Sequence, residues 1–267
     1  MNFDEYYAIG ESYYEEGEYK KPLNHFKKCI SIDNYYNCLN YIGLCYFWLE
    51  KYKLAADTFK KIIDECPETV IPVINLGRVY LKQGLLTDAC KMFNEAINID
   101  PDDEDAYFYL GVYYYEVEKY EEAIKCYKKS LSINIEQSET HLNLGICYYL
   151  LNFDNEALDE YELAYKYDNE CIQAIRNKGI AYIDIEEYEK ALNELLFVVE
   201  NKFDDIDNII DIAHCYYELS DFKNAYKWIK KAIDIDPKDE YVNEMFEKIN
   251  SILKEERGVK YIDVVIL

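Results

Sequence analysis

Three asparagines, Asn75, Asn143 and Asn177, stand 68 and 34 residues apart. A carboxamide offers a donor and an acceptor together, so a row of them can hold the main chain of an extended peptide whatever its side chains are. Tyr41 and Tyr109 fall on the same 34-residue grid and interrupt the row with rings. Trp48, Tyr149 and His214 add aromatic surface, and Arg78, Lys82 and Arg176 add cations. A tryptophan off the packing stripe is a candidate anchor for a partner, and an arginine is suited to a carboxylate. The chemistry these residue types suggest is recognition of a peptide.

Covalent chemistry has no comparable support. The chain contains no glycine loop for phosphate, no paired-histidine zinc motif and no nucleophile elbow. His25, His141 and His214 fall at unrelated places on the 34-residue grid. The nine cysteines, an odd number, lack the close paired spacing of a metal site or a disulfide frame. The expectation is a protein that is not an enzyme and needs neither cofactor nor metal.

The grid itself defines the elements that must position these residues. Gly43, Gly77, Gly111, Gly145, Gly179 and Ala213 recur every 34 residues, with Gly10 leading them by 33. A tyrosine follows each by three: Tyr13, Tyr46, Tyr80, Tyr114, Tyr148, Tyr182 and Tyr216. Twelve residues past each stands Ala55, Ala89, Ala123, Ala157, Ala191 or Ala225, with Pro22 in the first copy. Sixteen past lie Phe26, Phe59, Phe93, Tyr127, Tyr161, Leu195 and Ile229. Apolar residues fall at helical spacing in each half of the unit, so each unit reads as two helices whose closest approach lies at the glycine and the alanine. Cys45, Cys147 and Cys215 each follow the small residue by two and read as small core fillers. Asp100-Pro101 and Asp236-Pro237 read as caps with proline in the first helical turn. Gly17 and Gly84 fall in the turn between the two helices, where a left-handed backbone suits glycine.

Seven copies of this signature over residues 3–239 resemble the tetratricopeptide repeat family. The resemblance implies an all-α fold, a right-handed superhelical solenoid of antiparallel helix pairs, with units at 3–35, 36–69, 70–103, 104–137, 138–171, 172–205 and 206–239. Residues 240–256, with Tyr241, Met245, Phe246 and Ile249 along them, are expected to form a capping helix, and 257–267 an apolar, extended tail. Lys178 replaces the leucine before Gly179, which predicts looser packing in the sixth unit.

In that family the first helix of each unit lines the concave side. Counting each unit so that the small residue is position 8, positions 2, 5, 6, 9, 12 and 13 point inward. On this numbering the groove holds Tyr41, Trp48, Asn75, Arg78, Lys82, Tyr109, Asn143, Tyr149, Arg176, Asn177 and His214. It also holds Asp4, Glu11, Glu15, Asp105, Glu116, Glu139, Asp184, Asp207, Asp211 and Glu218. The asparagines resemble the ladder with which some members grip a peptide backbone; the other reading is that they bond a neighbouring helix. The family's clamp for acidic chaperone tails is not matched by any three consecutive units.

The net charge of −24 argues against nucleic acid and anionic membrane surfaces as partners. It favours a ligand with lysine or arginine beside apolar residues. No apolar run is long enough to span a membrane. The first twenty residues carry Asp4, Glu5, Glu11, Glu15, Glu16 and Glu18 where a signal peptide would be basic and then apolar. With the cysteine pattern, this predicts a cytoplasmic location. The predicted function is a protein–protein interaction adaptor holding an extended, basic and apolar peptide on the concave face. The alternatives are a self-associating structural scaffold, or the substrate-recognition subunit of an enzyme complex. The tail from Val259 to Leu267 either docks on its own array, docks on a second copy to make a homo-oligomer, or has no role.

Overall fold

A ring sits on five of the six glycines of the stride, and Leu195 sits on the sixth, Gly179. In the computed structural model, a Cβ built on Gly43 would lie 2.5 Å from Phe59 Cε1, and one on Gly77 2.5 Å from Phe93 Cε1. The same distance separates Gly111 from Tyr127 Cε1, and 2.8 Å separates Gly10 from Phe26 Cε1. At Gly145 the main chain of the second helix also comes close, with the Ala157 carbonyl oxygen 3.3 Å from such a Cβ, as the spacing predicts. The position-24 side chain of the second helix lies over the first helix's Cα, and even a methyl group would collide with it. Ala213 is the exception that fits: its partner is Ile229, and both are fully buried. The alanines at position 20, Ala55 through Ala225, are also fully buried.

The structure describes the backbone of residues 2–31, 35–201 and 205–265, and side chains over the same residues except 35 and 256–265. All described elements are α-helices. The chain divides into two compact units, Met1–Ile135 and Glu136–Leu267. The first holds four hairpins: α1 (Phe3–Glu15) with α2 (Lys20–Cys29), α3 (Tyr35–Trp48) with α4 (Tyr52–Glu65), α5 (Val70–Lys82) with α6 (Leu86–Ile99), and α7 (Glu104–Glu116) with α8 (Tyr120–Ile133). The second holds α9 (Ser138–Leu150) with α10 (Asp154–Tyr167), α11 (Ile172–Asp184) with α12 (Tyr188–Glu200), α13 (Ile206–Glu218) with α14 (Phe222–Ile235), and then α15 (Glu240–Val265).

One turn closes every hairpin. Gly17, Glu50, Gly84, Glu118, Asn152, Glu186 and Ser220, all at position 15, have φ between 57° and 75°. The residue after each donates its N–H back to the carbonyl of the repeated tyrosine, as Lys51 does to Tyr46 at 2.8 Å and Leu85 to Tyr80 at 2.9 Å. This six-residue closure satisfies helix-end carbonyls and demands a left-handed residue. Glycine meets that demand only twice; the other five hairpins force an ordinary side chain into it.

The joins between hairpins differ from the sequence reading. Asp100 and Asp236 end α6 and α14 rather than start the next helices. Their carboxylates accept the backbone N–H two residues on, at 2.9 Å from Asp102 and Lys238. The N-caps of α7 and α15 are Asp103 and Asp239, which accept from Ala106 at 2.8 Å and Val242 at 2.9 Å. Pro101 and Pro237 thus lie in the connecting turn, not in a first helical turn. Pro22 lies in the first turn of α2, where a missing N–H costs little.

The capping helix packs on α13 and α14 through Val242, Met245 and Ile249, whereas Tyr241 is more than half exposed. α15 runs on to Val265, so Gly258 does not end it and the backbone of 257–265 is helical, not extended. The docking of the tail lies outside the described side chains. Lys178, in place of the expected leucine, forms ion pairs with both neighbouring helices. Its Nζ lies 3.2 Å from Glu162 and 3.2 Å from Glu194, and tethers α11 to α10 and α12. Those two carboxylates outweigh the effect of burial and raise its pKa.

Candidate peptide-binding surface

In the unit Met1–Ile135, α3, α5 and α7 present the predicted residues. Asn75 is buried, and both ends of its carboxamide are engaged. Its Nδ2 donates to Asn40 Oδ1 at 3.1 Å, and its Oδ1 accepts from Arg78 Nη1 at 2.8 Å. It bonds a neighbouring helix instead of offering a rung to a ligand. Arg78 lies between two rings, 5.1 Å from the Phe47 centroid and 4.9 Å from that of Tyr109. Lys82, one turn further along α5, is exposed.

Tyr41 and Tyr109 serve packing. Tyr41 stacks on Phe26 at 4.6 Å with the rings 9° apart, and its hydroxyl donates to Glu11 at 2.9 Å. Burial, with that carboxylate beside it, pushes the Tyr41 hydroxyl pKa well above its ordinary value. Tyr109 stacks on Phe93 at 6.0 Å and 19°. In both cases a position-6 ring covers the position-24 ring of the preceding hairpin. Trp48 donates Nε1 to Tyr14 Oη at 2.9 Å, stacks on Tyr19 at 5.6 Å, and remains 46% exposed.

In the unit Glu136–Leu267 position 6 is Asn143, Asn177 and Asp211. Asn177 is too short to cover Tyr161 of the preceding hairpin. A cavity of about 270 Å3 opens there, lined by Ile146, Tyr149, Leu150, Tyr161, Gln173, Asn177 and Ile180. Asn177 Oδ1 accepts from Gln173 Nε2 at 2.7 Å, and Asn177 is among the residues that line the space. Asn143 lies one turn before Ile146 on α9, half-buried and without a side-chain hydrogen bond to another described residue. Asn177 therefore acts first by being small.

The rim of this cavity is acidic. Tyr149 donates its hydroxyl to Asp184 at 2.5 Å, and burial followed by that carboxylate pushes its pKa to about 12. Arg176 does not face solvent alone: its Nε is 3.1 Å from Asn208 Oδ1 and 3.8 Å from Asp205. Burial pushes Asp211 up to about 6; Arg176 opposes this, and Asp207, Asp205 and Asp184 add to it. His214 lies apart from this cavity. It meets Tyr188 edge-on at 6.0 Å and helps line a second cavity of about 240 Å3 with Tyr217, Glu218, Tyr241, Glu244, Met245 and Lys248.

The Asp211 shift has a measurable consequence. A carboxyl with an ordinary value of 3.8 that titrates near 6 when folded binds its proton more tightly in the fold. Its contribution to stability is full below about pH 4 and is lost as pH rises through about 6. Asp211→Asn is expected to raise stability at pH 7 by about 1–2 kcal/mol and leave it unchanged at pH 4. Urea melts across that range check it; equal gains at both pH values would contradict the assignment.

Sequence reasoning missed Asn40, Gln173, Ile180 and Tyr161 as shapers of the surface. Asn40 stands 35 residues before Asn75, one off the stride, and that near-register was the available signal. Cys45, Cys147 and Cys215 are fully buried, with burial pushing each thiol to about 12, and all nine cysteines are free. Among the described residues, no helix is long and apolar enough to cross a membrane.

Stacked helix hairpins with a small-residue joint and a side-chain-rich first helix define a repeat-array interaction module. Tetratricopeptide repeat models match residues 6–36 and 207–239, 39–69, and 68–136. The chain belongs to the tetratricopeptide repeat family. The fifth and sixth hairpins lie outside the matched residues and keep the same joints, with Gly145 against Tyr161 and Gly179 against Leu195. An uncharacterized protein, ycf37 of Cyanophora paradoxa, is 28% identical over 105 residues, 36% of this chain and 59% of that protein. The chain thus matches about three fifths of that relative's length.

Among solved structures, YrrB, described as a TPR protein with an unusual peptide-binding site, aligns with a TM-score of 0.64 at 25% identity. The alignment covers 72% of this chain and 99% of that one. PilF of Pseudomonas aeruginosa aligns at 0.70 with 14% identity, over 81% and 96% of the two chains. The APC/C hetero-tetramer Cut9-Hcn1 aligns at 0.70 with 16% identity, over 93% of this chain and 49% of that one. The last two share the fold alone.

Proposed function

We propose that the protein is a non-catalytic adaptor that holds an extended peptide rich in basic and apolar residues. The cavity left by Asn177 over Tyr161 carries this reading. An apolar side chain of the ligand enters it, and the ligand backbone meets the carboxamides of Asn143 and Asn177. Lysine or arginine side chains on either side meet Asp184, Asp207 and Asp211. Three observations support it: apolar walls formed by Ile146, Leu150 and Ile180, an acidic rim, and the peptide site that the description of YrrB reports for a similar fold. Nine free thiols favour a reducing compartment such as the cytoplasm.

The fold supplies its own test. Tyr41 and Tyr109 show that the array accepts a tyrosine at position 6, where it covers the preceding ring. Asn177→Tyr is therefore expected to fill the cavity and leave the helix content intact. A fluorescein-labelled nonapeptide alternating leucine with lysine serves as probe, beside the same peptide with glutamate for lysine. The lysine peptide should bind the wild type and weaken as salt rises, the glutamate peptide should not bind, and Asn177→Tyr should abolish binding. Equal binding by wild type and variant would remove the cavity from the mechanism. Binding by neither, with concentration-dependent sedimentation, would favour a self-associating scaffold.

A further inference from the structure

The hairpins meet the same structural demand over and over, so a residue that departs from its counterparts serves something besides the shared fold. Eleven residues past the small residue stand Lys21, Asp88, Glu122, Glu156, Lys190 and Asn224, all polar, but Leu54 in the second hairpin. Eight past it stand Glu18, Lys51, Lys119, Glu187 and Asp221, but Leu85 in the third hairpin and Phe153 in the fifth. Leu54 and Leu85 are each 45% exposed, and Leu86 is 36% exposed. The fold accepts charge at both places, so packing within the hairpin does not require a leucine at either. Exposed apolar groups gathered in one region mark a contact surface.

These leucines border one cavity. Glu50, Lys51, Tyr52, Lys53 and Leu54, from the closing turn of the second hairpin and the start of α4, line an open space of about 540 Å3 with Gln83 at the end of α5. Leu85 and Leu86 follow Gln83 round the closing turn of the third hairpin. The surface is therefore the edge along which hairpins turn, not the first-helix face.

Its charge runs against that of the chain. Lys51 and Lys53 are exposed, and among the described residues no carboxylate lies within ion-pairing distance of either. Exposed Lys82 immediately precedes Gln83, and Glu50 is the one acid in the lining. The positive end of α4 opens here without a carboxylate of its own. By contrast, α8, α10 and α12 carry acids in their first turns, and α14 is capped by Asp221.

We infer that this turn edge docks one amphipathic helix of a partner protein, with a leucine-like stripe on Leu54, Leu85 and Leu86 and acidic flanks on Lys51, Lys53 and Lys82. All described elements are helices, so the edge offers no strand for an extended segment to pair with. A helix presents apolar residues at i, i+3, i+4 and i+7 as one compact stripe. A second copy of a chain with net charge −24 is repelled, whereas a short acidic helix meets only the local lysines. The surface shares no residue with the cavity at Asn177 and takes the opposite charge, so it goes beyond the adaptor reading and stands or falls separately.

The probe is a fluorescein-labelled peptide roughly 15 residues long, about the length at which an isolated helix becomes stable. It has leucines at the stripe spacing and glutamate elsewhere. One control holds the same residues reordered so that the leucines ring the helix, and another has lysine for glutamate. With the full chain, the striped acidic peptide should bind saturably and weaken as salt rises, and neither control should match it. Leu54→Lys/Leu85→Lys should weaken binding by about ten- to hundredfold although it adds positive charge. Lysine already stands at these places in Lys21, Lys190, Lys51 and Lys119, so the fold accommodates it. Lys51→Glu/Lys53→Glu, which reproduces Glu187 and Glu189 of the sixth hairpin, should weaken binding and flatten its salt dependence. Asn177→Tyr should change nothing. Equal binding by the striped and reordered peptides would overturn the proposal, as would tighter binding by the lysine peptide or unchanged affinity in either double variant. Loss of binding in Asn177→Tyr would move the ligand to the other cavity. Self-association of the wild type that Leu54→Lys/Leu85→Lys abolishes would assign the edge to a second copy, and either result would overturn the partner helix. The comparison of peptides on the wild-type chain needs no variant and stays decisive should a variant unfold.

Discussion

Gly77→Ala is expected to destabilise the protein by about 1–3 kcal/mol, although alanine is the better helix former. The new Cβ would stand 2.5 Å from Phe93 Cε1 and 2.9 Å from Cδ1 and Cζ, against a ring with no exposed surface. Phe93→Ile alone should cost about 1–2 kcal/mol by leaving space. The double variant should recover much of both losses, because it reproduces Ala213 against Ile229 in the last hairpin. Denaturation of the four proteins gives the coupling. Additive losses would show that the contact between Gly77 and Phe93 does not set the helix spacing.

A gain of about 2–3 kcal/mol is expected from Glu50→Gly, Glu118→Gly and Glu186→Gly together. Each glutamate holds φ near 60° in the closing turn of its hairpin. A left-handed backbone costs an L-residue about 1–2 kcal/mol, part of which glycine returns through its greater freedom when unfolded. The three sites belong to separate hairpins, so the gains should add. In a repeat array each gain falls mainly on its own hairpin and its neighbours. Hydrogen exchange should show protection rising locally at each turn. No change at any of the three would mean that contacts of the glutamate side chains offset the strain.

Much of this fold was legible because the packing signal is repeated. The small residue, the tyrosine and the alanine recur on one stride, and each has one physical job. What was hidden depended on which side chains meet across hairpins. Asn75 and Asn177 are the same residue at the same register. Asn75 meets Asn40 and Arg78 and is consumed by them, while Asn177 meets Gln173 and leaves Tyr161 uncovered. Nothing in either local stretch distinguishes these outcomes.

Ambiguity of a different kind governed the joins. An aspartate before proline can end one helix or begin the next, since its carboxylate accepts a nearby N–H either way. Only the true N-caps at Asp103 and Asp239, three residues later, decide it. α15 runs past the expected bound at Glu256 because the one glycine beyond it, Gly258, costs a helix only about 1 kcal/mol.

Each glycine of the stride receives its covering side chain from its own hairpin: Gly43 from Phe59, Gly77 from Phe93, Gly111 from Tyr127, Gly179 from Leu195. A copied cassette of chain therefore arrives with its central joint already complete. Gene duplication can lengthen such a protein without any matching change in the segments on either side. Diversification is then left to the few residues that touch a neighbouring cassette, among them position 6, which faces the preceding one and where one exchange of asparagine for tyrosine turns a vacancy into a seal.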